Sequence, residues 1–327
     1  MKLCVLGAGA WGTALAIAFG RNHTVCLWTR DRQQAQRLTD ERENTRYLPG
    51  HAFPPGLAVT ASLDEAVDAE LALIATPLSG LRATVALLTE RRPQLPFLWA
   101  CKGLEADTGL LPHQVVDALG VVVPSGALTG PSFADEVARG MPTAVVLAAV
   151  DDGFARTTSQ ALNGSRLRVY ANGDLIGAEV GGAVKNVLAI ASGISDGLGL
   201  GLNARAALVT RGLAEITRFG VALGARRDTF MGLTGMGDLI LTCTGDLSRN
   251  RRVGQALAAG RPLAEITREL GHVAEGVATA REVAARAAAL GVEMPIVAAV
   301  CAVLDGSLPA REAVDRLMAR DPKIESA

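Results

Sequence analysis

At 327 residues, 49% hydrophobic and 20% charged, the chain has a globular composition and is long enough for roughly two domains, since one core rarely grows past about 250 residues. A net charge of −1 argues against a nucleic-acid partner, which needs a basic excess or stripe, and no stretch approaches the roughly 20 uninterrupted apolar residues of a membrane span. There is no signal-peptide pattern, and the five scattered cysteines (Cys4, Cys26, Cys101, Cys243, Cys301) include no C-x-x-C pair, so reduced thiols and a cytoplasmic location are expected.

In chain order, the first half alternates short apolar runs with helical patterns, which predicts a mostly parallel α/β sheet. Strands are expected at 2–6, 24–29, 57–61, 71–75, 96–101, 127–130, 143–148 and 167–170, with helices such as 11–20, 32–42 and 78–91 between them. Ser62 and Glu65 have capping-box spacing, each placed to satisfy an orphan N–H of a short helix. After about Asn172 the strand signals stop. Ala-rich segments with 3.6-residue periodicity predict helices over 177–193, 203–223, 249–259, 275–290, 296–304 and 309–319. The expected organisation is an N-terminal domain over 1–174 and an all-helical domain over 175–327, with the active site in the cleft between them. The pair Gly181-Gly182 inside a predicted helix suggests close backbone packing at that junction.

The segment Gly7-Ala8-Gly9-Ala10-Trp11-Gly12 matches G-x-G-x-x-G. It follows a predicted strand and opens a predicted helix, the context in which the motif holds a dinucleotide. Gly7 allows the tight turn, Gly9 the approach of a pyrophosphate, and Gly12 close helix–strand packing. The helix N-terminus faces the phosphate charge. The N-terminal domain therefore reads as Rossmann-type, binding NAD or NADP. An acidic residue at the end of the second strand would favour NAD, but the sequence there is Thr29-Arg30-Asp31-Arg32. Arg30 is placed to pair with the 2′-phosphate of NADP. The competing reading makes Arg30 an exposed strand-end residue and Asp31 the ribose reader.

Only four of the 32 basic residues are lysines: Lys2, Lys102, Lys185 and Lys323. Lys102 follows an apolar strand, where open α/β sheets bind ligands. Lys185 lies within a nearly apolar helix, in Gly181-Gly182-Ala183-Val184-Lys185-Asn186. A lysine is expensive to bury there without a partner or a role, and unlike arginine it can exchange protons near neutrality. These two are the catalytic candidates; the bland alternative is that Lys185 snorkels to solvent. Further on, Asp246 or Ser248 can cap a helix whose first turn carries Arg249 and Asn250, a combination that suits a phosphate. Read in isolation it is equally a solvated basic helix start. Asp238, in the glycine-rich Gly235-Met236-Gly237-Asp238, is placed to orient a lysine or a substrate hydroxyl, or simply to cap a helix. The four histidines form no ligand cluster, so no metal is expected.

Taken together, the glycine motif from Gly7 to Ala16, Asn44-Thr-Arg-Tyr47-Leu-Pro-Gly50, Cys101-Lys102-Gly103-Leu104-Glu105 and Leu128-Thr-Gly-Pro-Ser132-Phe-Ala-Asp-Glu-Val137 form a set. It continues through Val184-Lys185-Asn186-Val187, Gly235-Met-Gly-Asp238-Leu, Ser248-Arg249-Asn250 and Val273-Ala-Glu275-Gly276. Over nearly its whole length the chain resembles the bacterial NAD(P)-dependent sn-glycerol-3-phosphate dehydrogenases. The resemblance implies reduction of dihydroxyacetone phosphate to sn-glycerol 3-phosphate for phospholipid synthesis. It implies that Lys185 is the proton donor and that Lys102 lies near both cofactor and substrate. Gly130, Ser132, Asp238, Ser248, Arg249 and Asn250 match substrate contacts; Trp11, Arg30, Ala134, Arg249, Val273 and Glu275 match cofactor contacts, along with Gly7, Gly9, Ala10 and Gly12 of the glycine loop. One departure is Arg21-Asn22-His23, which lacks a glycine common in the family and shortens that turn. Asn186 and Asp238 are expected to position the Lys185 ammonium. A homodimer through the Ala-rich helices is also expected. Rival readings are a β-hydroxyacid or ketopantoate dehydrogenase, which needs no phosphate cluster, and a non-catalytic dinucleotide sensor, which needs neither Lys102 nor Lys185.

Overall fold

A computed structural model describes residues 1–269 and 275–321. Ten strands form among the described residues: β1 (Lys2–Leu6), β2 (Thr24–Trp28), β3 (Glu43–Asn44), β4 (Leu48–Ala52), β5 (Leu57–Thr60), β6 (Leu71–Ile74), β7 (Phe97–Trp99), β8 (Ser125–Thr129), β9 (Thr143–Ala148) and β10 (Leu167–Asn172). Eight make one sheet in the order β10-β9-β8-β7-β6-β1-β2-β5. Every neighbouring pair in it is parallel except β8 with β9. Strand β1 shows why the sheet is buried on both sides: Leu3 and Val5 join the core on one face while Cys4 and Leu6 join the core on the other. The chain leaves β1 for β2 on one side and later adds β6 on the other, so the loop after β1 lies at the point where strand order reverses.

Two local expectations change. Strands β3 and β4 pair as a small antiparallel hairpin that the sequence pattern does not announce, because Pro49 and Gly50 interrupt β4. The capping box at Ser62 forms only in half. The Ser62 hydroxyl accepts from the Glu65 N–H, but the Glu65 carboxylate accepts from Thr60 Oγ1 at 2.6 Å instead of reaching back to Ser62.

From Leu175 onward the described chain is helical. Its axis is the helix Leu175–Gly197, opened by Asp174, which accepts from the Gly177 N–H. This helix is long and apolar enough to cross a bilayer, yet it is almost wholly buried within the protein. One side lies against the sheet, and the helices Gly201–Ala222, Asp238–Thr244, Arg249–Ala258 and Glu275–Ala289 pack around the rest. Glycines set the closest approaches. A Cβ on Gly181 would sit 2.2 Å from the Thr234 carbonyl oxygen, and one on Gly254 would sit 2.0 Å from the Ile190 carbonyl oxygen. Packing backbone against backbone leaves the helix Arg249–Ala258 little freedom to slide.

Candidate active site

The loop after β1 turns at Gly7, whose φ of +118° favours glycine and whose Cβ position is 3.0 Å from the Ala75 backbone that follows β6. A Cβ on Gly12 would collide with the Gly7 carbonyl oxygen at 1.9 Å, while the space beside Gly9 is open to 4 Å. The helix Ala10–Phe19 has no side-chain cap and no acidic residue in its first turn. Open space over Gly9 in front of an uncapped helix start fits a dinucleotide pyrophosphate. The Ala8 carbonyl accepts from Gln34 Nε2 and from Asn44 Nδ2, each at 3.0 Å, and the Asn44 amide also reaches Thr13 Oγ1 at 2.7 Å. The hairpin thus pins the glycine loop through buried Asn44. At the end of β2, Arg30 is exposed. Asp31 Oδ1 caps the helix Arg32–Glu41 by accepting from the Gln33 and Gln34 amides. Ala134 begins the helix Ala134–Arg139, which packs on the helix Ala10–Phe19.

Beyond the carboxyl ends of β7 and β8 the chain turns at Gly103 and Gly130, both at positive φ. There Lys102 Nζ donates to the Gly130 carbonyl at 3.4 Å and to Asp238 Oδ2 at 2.7 Å. The other carboxylate oxygen of Asp238 accepts from Lys185 Nζ, which also donates to Thr242 Oγ1 at 3.0 Å. Asp238 is fully buried, and Lys185 is 7% exposed, so Lys185 does not snorkel to solvent. Burial disfavours its charged form; Asp238 opposes this and Lys102 adds to it, leaving the ammonium at about 8. Gly182 makes the meeting possible, because a Cβ there would press on Thr129 Oγ1 at 3.0 Å and on the Lys102 stem at 3.4 Å. Ser132 Oγ donates to the same Gly130 carbonyl at 3.1 Å.

The helix start at Arg249 lies beside this cluster. Ser248 is its cap, accepting from the Arg251 N–H, whereas exposed Asp246 instead accepts from Arg251 Nη1 at 2.8 Å. Arg251 Nε donates to Asp196 at 2.6 Å, which ties the turn to the end of the long helix. Exposed Arg249, with Lys102 and Lys185, acts electrostatically on Glu275, whose carboxyl is raised by burial against that attraction. Three cationic side chains therefore surround two carboxylates, a setting that favours an added anion.

One expected contact is absent. The Asn186 amide does not touch Lys185: its oxygen accepts from Asn250 Nδ2 at 3.0 Å and its nitrogen donates to Glu275 Oε2 at 3.5 Å. Residues adjacent in a helix point about 100° apart, so Lys185 and Asn186 face different neighbours. Thr242, one turn after Asp238, takes the place foreseen for Asn186; the i, i+4 spacing was the available signal. Asn250 Oδ1 in turn accepts from the Gly276 N–H at 3.1 Å. Val273 falls outside the described residues.

A groove of about 1390 Å³ lies elsewhere in the helical half, lined by Ile194, Glu215, Ile296, Val300 and Leu317 among others. It holds neither of the paired lysines nor any part of the glycine loop, so its size does not make it the catalytic cleft.

Two family models match the chain. Residues 2–155 match the family model described as the NAD-dependent glycerol-3-phosphate dehydrogenase N-terminus, and residues 174–315 match its C-terminus. The chain belongs to the NAD-dependent glycerol-3-phosphate dehydrogenase family. It is 63% identical over 329 residues to a glycerol-3-phosphate dehydrogenase [NAD(P)+] of Dechloromonas aromatica (strain RCB), covering all of both chains. A relative of the same description from Aromatoleum aromaticum is 61% identical, over 99% of this chain and all of the other. The crystal structure of glycerol-3-phosphate dehydrogenase from Coxiella burnetii superimposes with a TM-score of 0.93 at 40% identity, over 98% of this chain and 99% of that one. As in the family, the N-terminal half is a Rossmann-type, mostly parallel sheet and the C-terminal half is helical.

Proposed function

We propose that the chain reduces dihydroxyacetone phosphate to sn-glycerol 3-phosphate with NADPH or NADH, supplying the glycerol backbone of phospholipids. The observation that carries this reading is the buried Lys185–Asp238–Lys102 cluster at the carboxyl edge of the sheet, beside the helix start at Arg249. A dinucleotide held at the glycine loop would supply the hydride for C2 of the substrate. Lys185 Nζ gives its proton to the C2 oxygen as charge develops there, while Asp238 and Thr242 hold the ammonium in place. Lys102 adds positive charge beside that oxygen. Gly130 and Ser132 line the substrate side. Arg249, Asn250 and the helix start capped by Ser248 hold the phosphate, so binding energy remote from C2 orients the carbonyl. Asn186 serves by holding Asn250. Gly7, Gly9, Ala10, Trp11, Gly12, Arg30, Ala134 and Glu275 contact the cofactor, with Lys102 and Arg249 reaching it as well. The unit over 1–174 holds the cofactor and the unit over 175–327 reads the substrate.

Steady-state oxidation of NADPH and of NADH with dihydroxyacetone phosphate tests the reading. Turnover with stoichiometric sn-glycerol 3-phosphate is expected, and no oxidation of either cofactor would refute it. Because Asp31 Oδ1 is spent on its helix, Arg30 is the stronger reader of the 2′-position. Arg30→Ala is expected to raise the KM for NADPH by about tenfold, the loss of one exposed charge-assisted contact, with NADH little changed. Arg249→Ala is expected to raise the KM for dihydroxyacetone phosphate by about 10²-fold, with a smaller change in kcat. We further propose a cytoplasmic enzyme, in line with its five free cysteines. A homodimer through the helical half is proposed too: Leu202, Met231 and Met318 stand exposed in that half, and light scattering at twice the chain mass is the expected result.

A further inference from the structure

A second buried carboxylate sits on the helix that carries Lys185, and the chemistry above does not use it. Glu179 is 6% exposed. Its Oε1 accepts from the Trp99 indole N–H and from the His113 backbone N–H, each at 2.9 Å, and its Oε2 is hydrogen-bonded to His113 Nδ1. A carboxylate is costly to bury, and an apolar side chain would pack a helix on a strand without that cost. What the carboxylate adds is direction. It accepts from one indole nitrogen at one height along the strand, so it discriminates between registers that a leucine would tolerate.

The register matters because the reacting lysines come next along both elements. Trp99 ends β7, is 1% exposed, and meets Glu179. Three residues later, Lys102 lies against Gly182, which is three residues beyond Glu179. Lys185 is three further again, and Asp238 bridges it to the Lys102 ammonium. The Trp99 side chain and the Lys102 stem therefore meet the same helix at successive turns, and the Trp99–Glu179 hydrogen bond is the polar contact that fixes the first of these meetings. We propose that Glu179 is a positioning residue for the reduction: by holding the Trp99 indole it sets where the Lys102 ammonium meets Asp238 and the C2 oxygen. The proposal rests on the reductase reading.

The test compares Trp99→Phe, Glu179→Gln, Glu179→Leu, Lys102→Ala and the Lys102→Ala/Trp99→Phe double variant in kcat, in both KM values and in thermal midpoint. Glutamine keeps an acceptor for the indole and turns its amide toward His113, so Glu179→Gln is expected to stay within about threefold of wild-type kcat. Trp99→Phe is expected to lower kcat by about tenfold or more, as misplacements near 1 Å do, with the KM for NADPH little moved. Glu179→Leu should be at least as damaged, and Trp99→Phe keeps the test usable if that variant fails to fold. In the Lys102→Ala background the Trp99→Phe loss should vanish, since the indole acts through Lys102. Wild-type kcat in Trp99→Phe, or an equal fractional loss in the Lys102→Ala background, would overturn the positioning role. Absence of wild-type turnover on dihydroxyacetone phosphate would instead remove the reductase reading beneath it.

Discussion

Replacing Lys185 with alanine is expected to lower kcat for dihydroxyacetone phosphate reduction by about 10²–10⁴-fold, the range for a lost general acid. NADPH affinity should survive, because the glycine loop and the Asn44 contacts that brace it lie on other elements. The pH dependence gives an independent signature. Burial lowers the Lys185 ammonium, Asp238 raises it, Lys102 lowers it again, and the balance is about 8. A proton donor must carry its proton, so reduction should be fastest below this value and fall as pH rises through it. Oxidation of sn-glycerol 3-phosphate needs the neutral amine and should gain rate over the same interval. Rate–pH profiles in both directions check the sign, and the alanine variant should lose both limbs.

Asp238→Asn carries the second large effect. The carboxylate is fully buried and takes one ammonium on each oxygen. An amide in its place leaves two neighbouring lysines without their counter-charge. Breaking a buried pair from one side costs about 3–5 kcal/mol when the remaining charge stays. Lys185 can escape part of that cost by releasing its proton, since Asp238 is the group that raises its pKa. The variant should therefore lose kcat for reduction by about 10²–10³-fold at neutral pH, and its profile should move toward acid. A lower thermal midpoint should accompany the loss. Effects of Lys185→Ala and Asp238→Asn should combine to much less than their product, because both remove the same proton donor.

The parts of this molecule legible in its sequence are those whose signals are local. The glycine loop, its strand and its helix lie within one short segment, and the helical half announces itself by periodicity. Lys102 and Lys185 stand out as rare lysines in an arginine-biased chain. Their shared partner could be suspected but not placed, since Lys102 and Asp238 are 136 positions apart. The hairpin of β3 and β4 stays hidden because Pro49 and Gly50 break the alternation by which strands are recognised. Yet it supplies Asn44, which locks the cofactor loop. Asn186 misleads for a geometric reason: adjacency to Lys185 in sequence puts it on another side of the helix, where Asn250 and Glu275 claim its amide. Glu179 gives no sign of its role, because its meaning depends on which strand the helix lies against.

On the proposed reading the N-terminal half holds a dinucleotide and the helical half recognises a phosphorylated carbonyl, and Lys102 and Lys185 meet at Asp238. The measurement that tests this most directly is the ratio of kcat/KM for dihydroxyacetone phosphate to that for dihydroxyacetone, in the wild type and in Arg249→Ala. The wild-type ratio should be large and should collapse by about 10²-fold or more in the variant, because the phosphate contact is spent on orienting the carbonyl. An unchanged ratio would contradict the assignment of the helix start at Arg249 to substrate recognition.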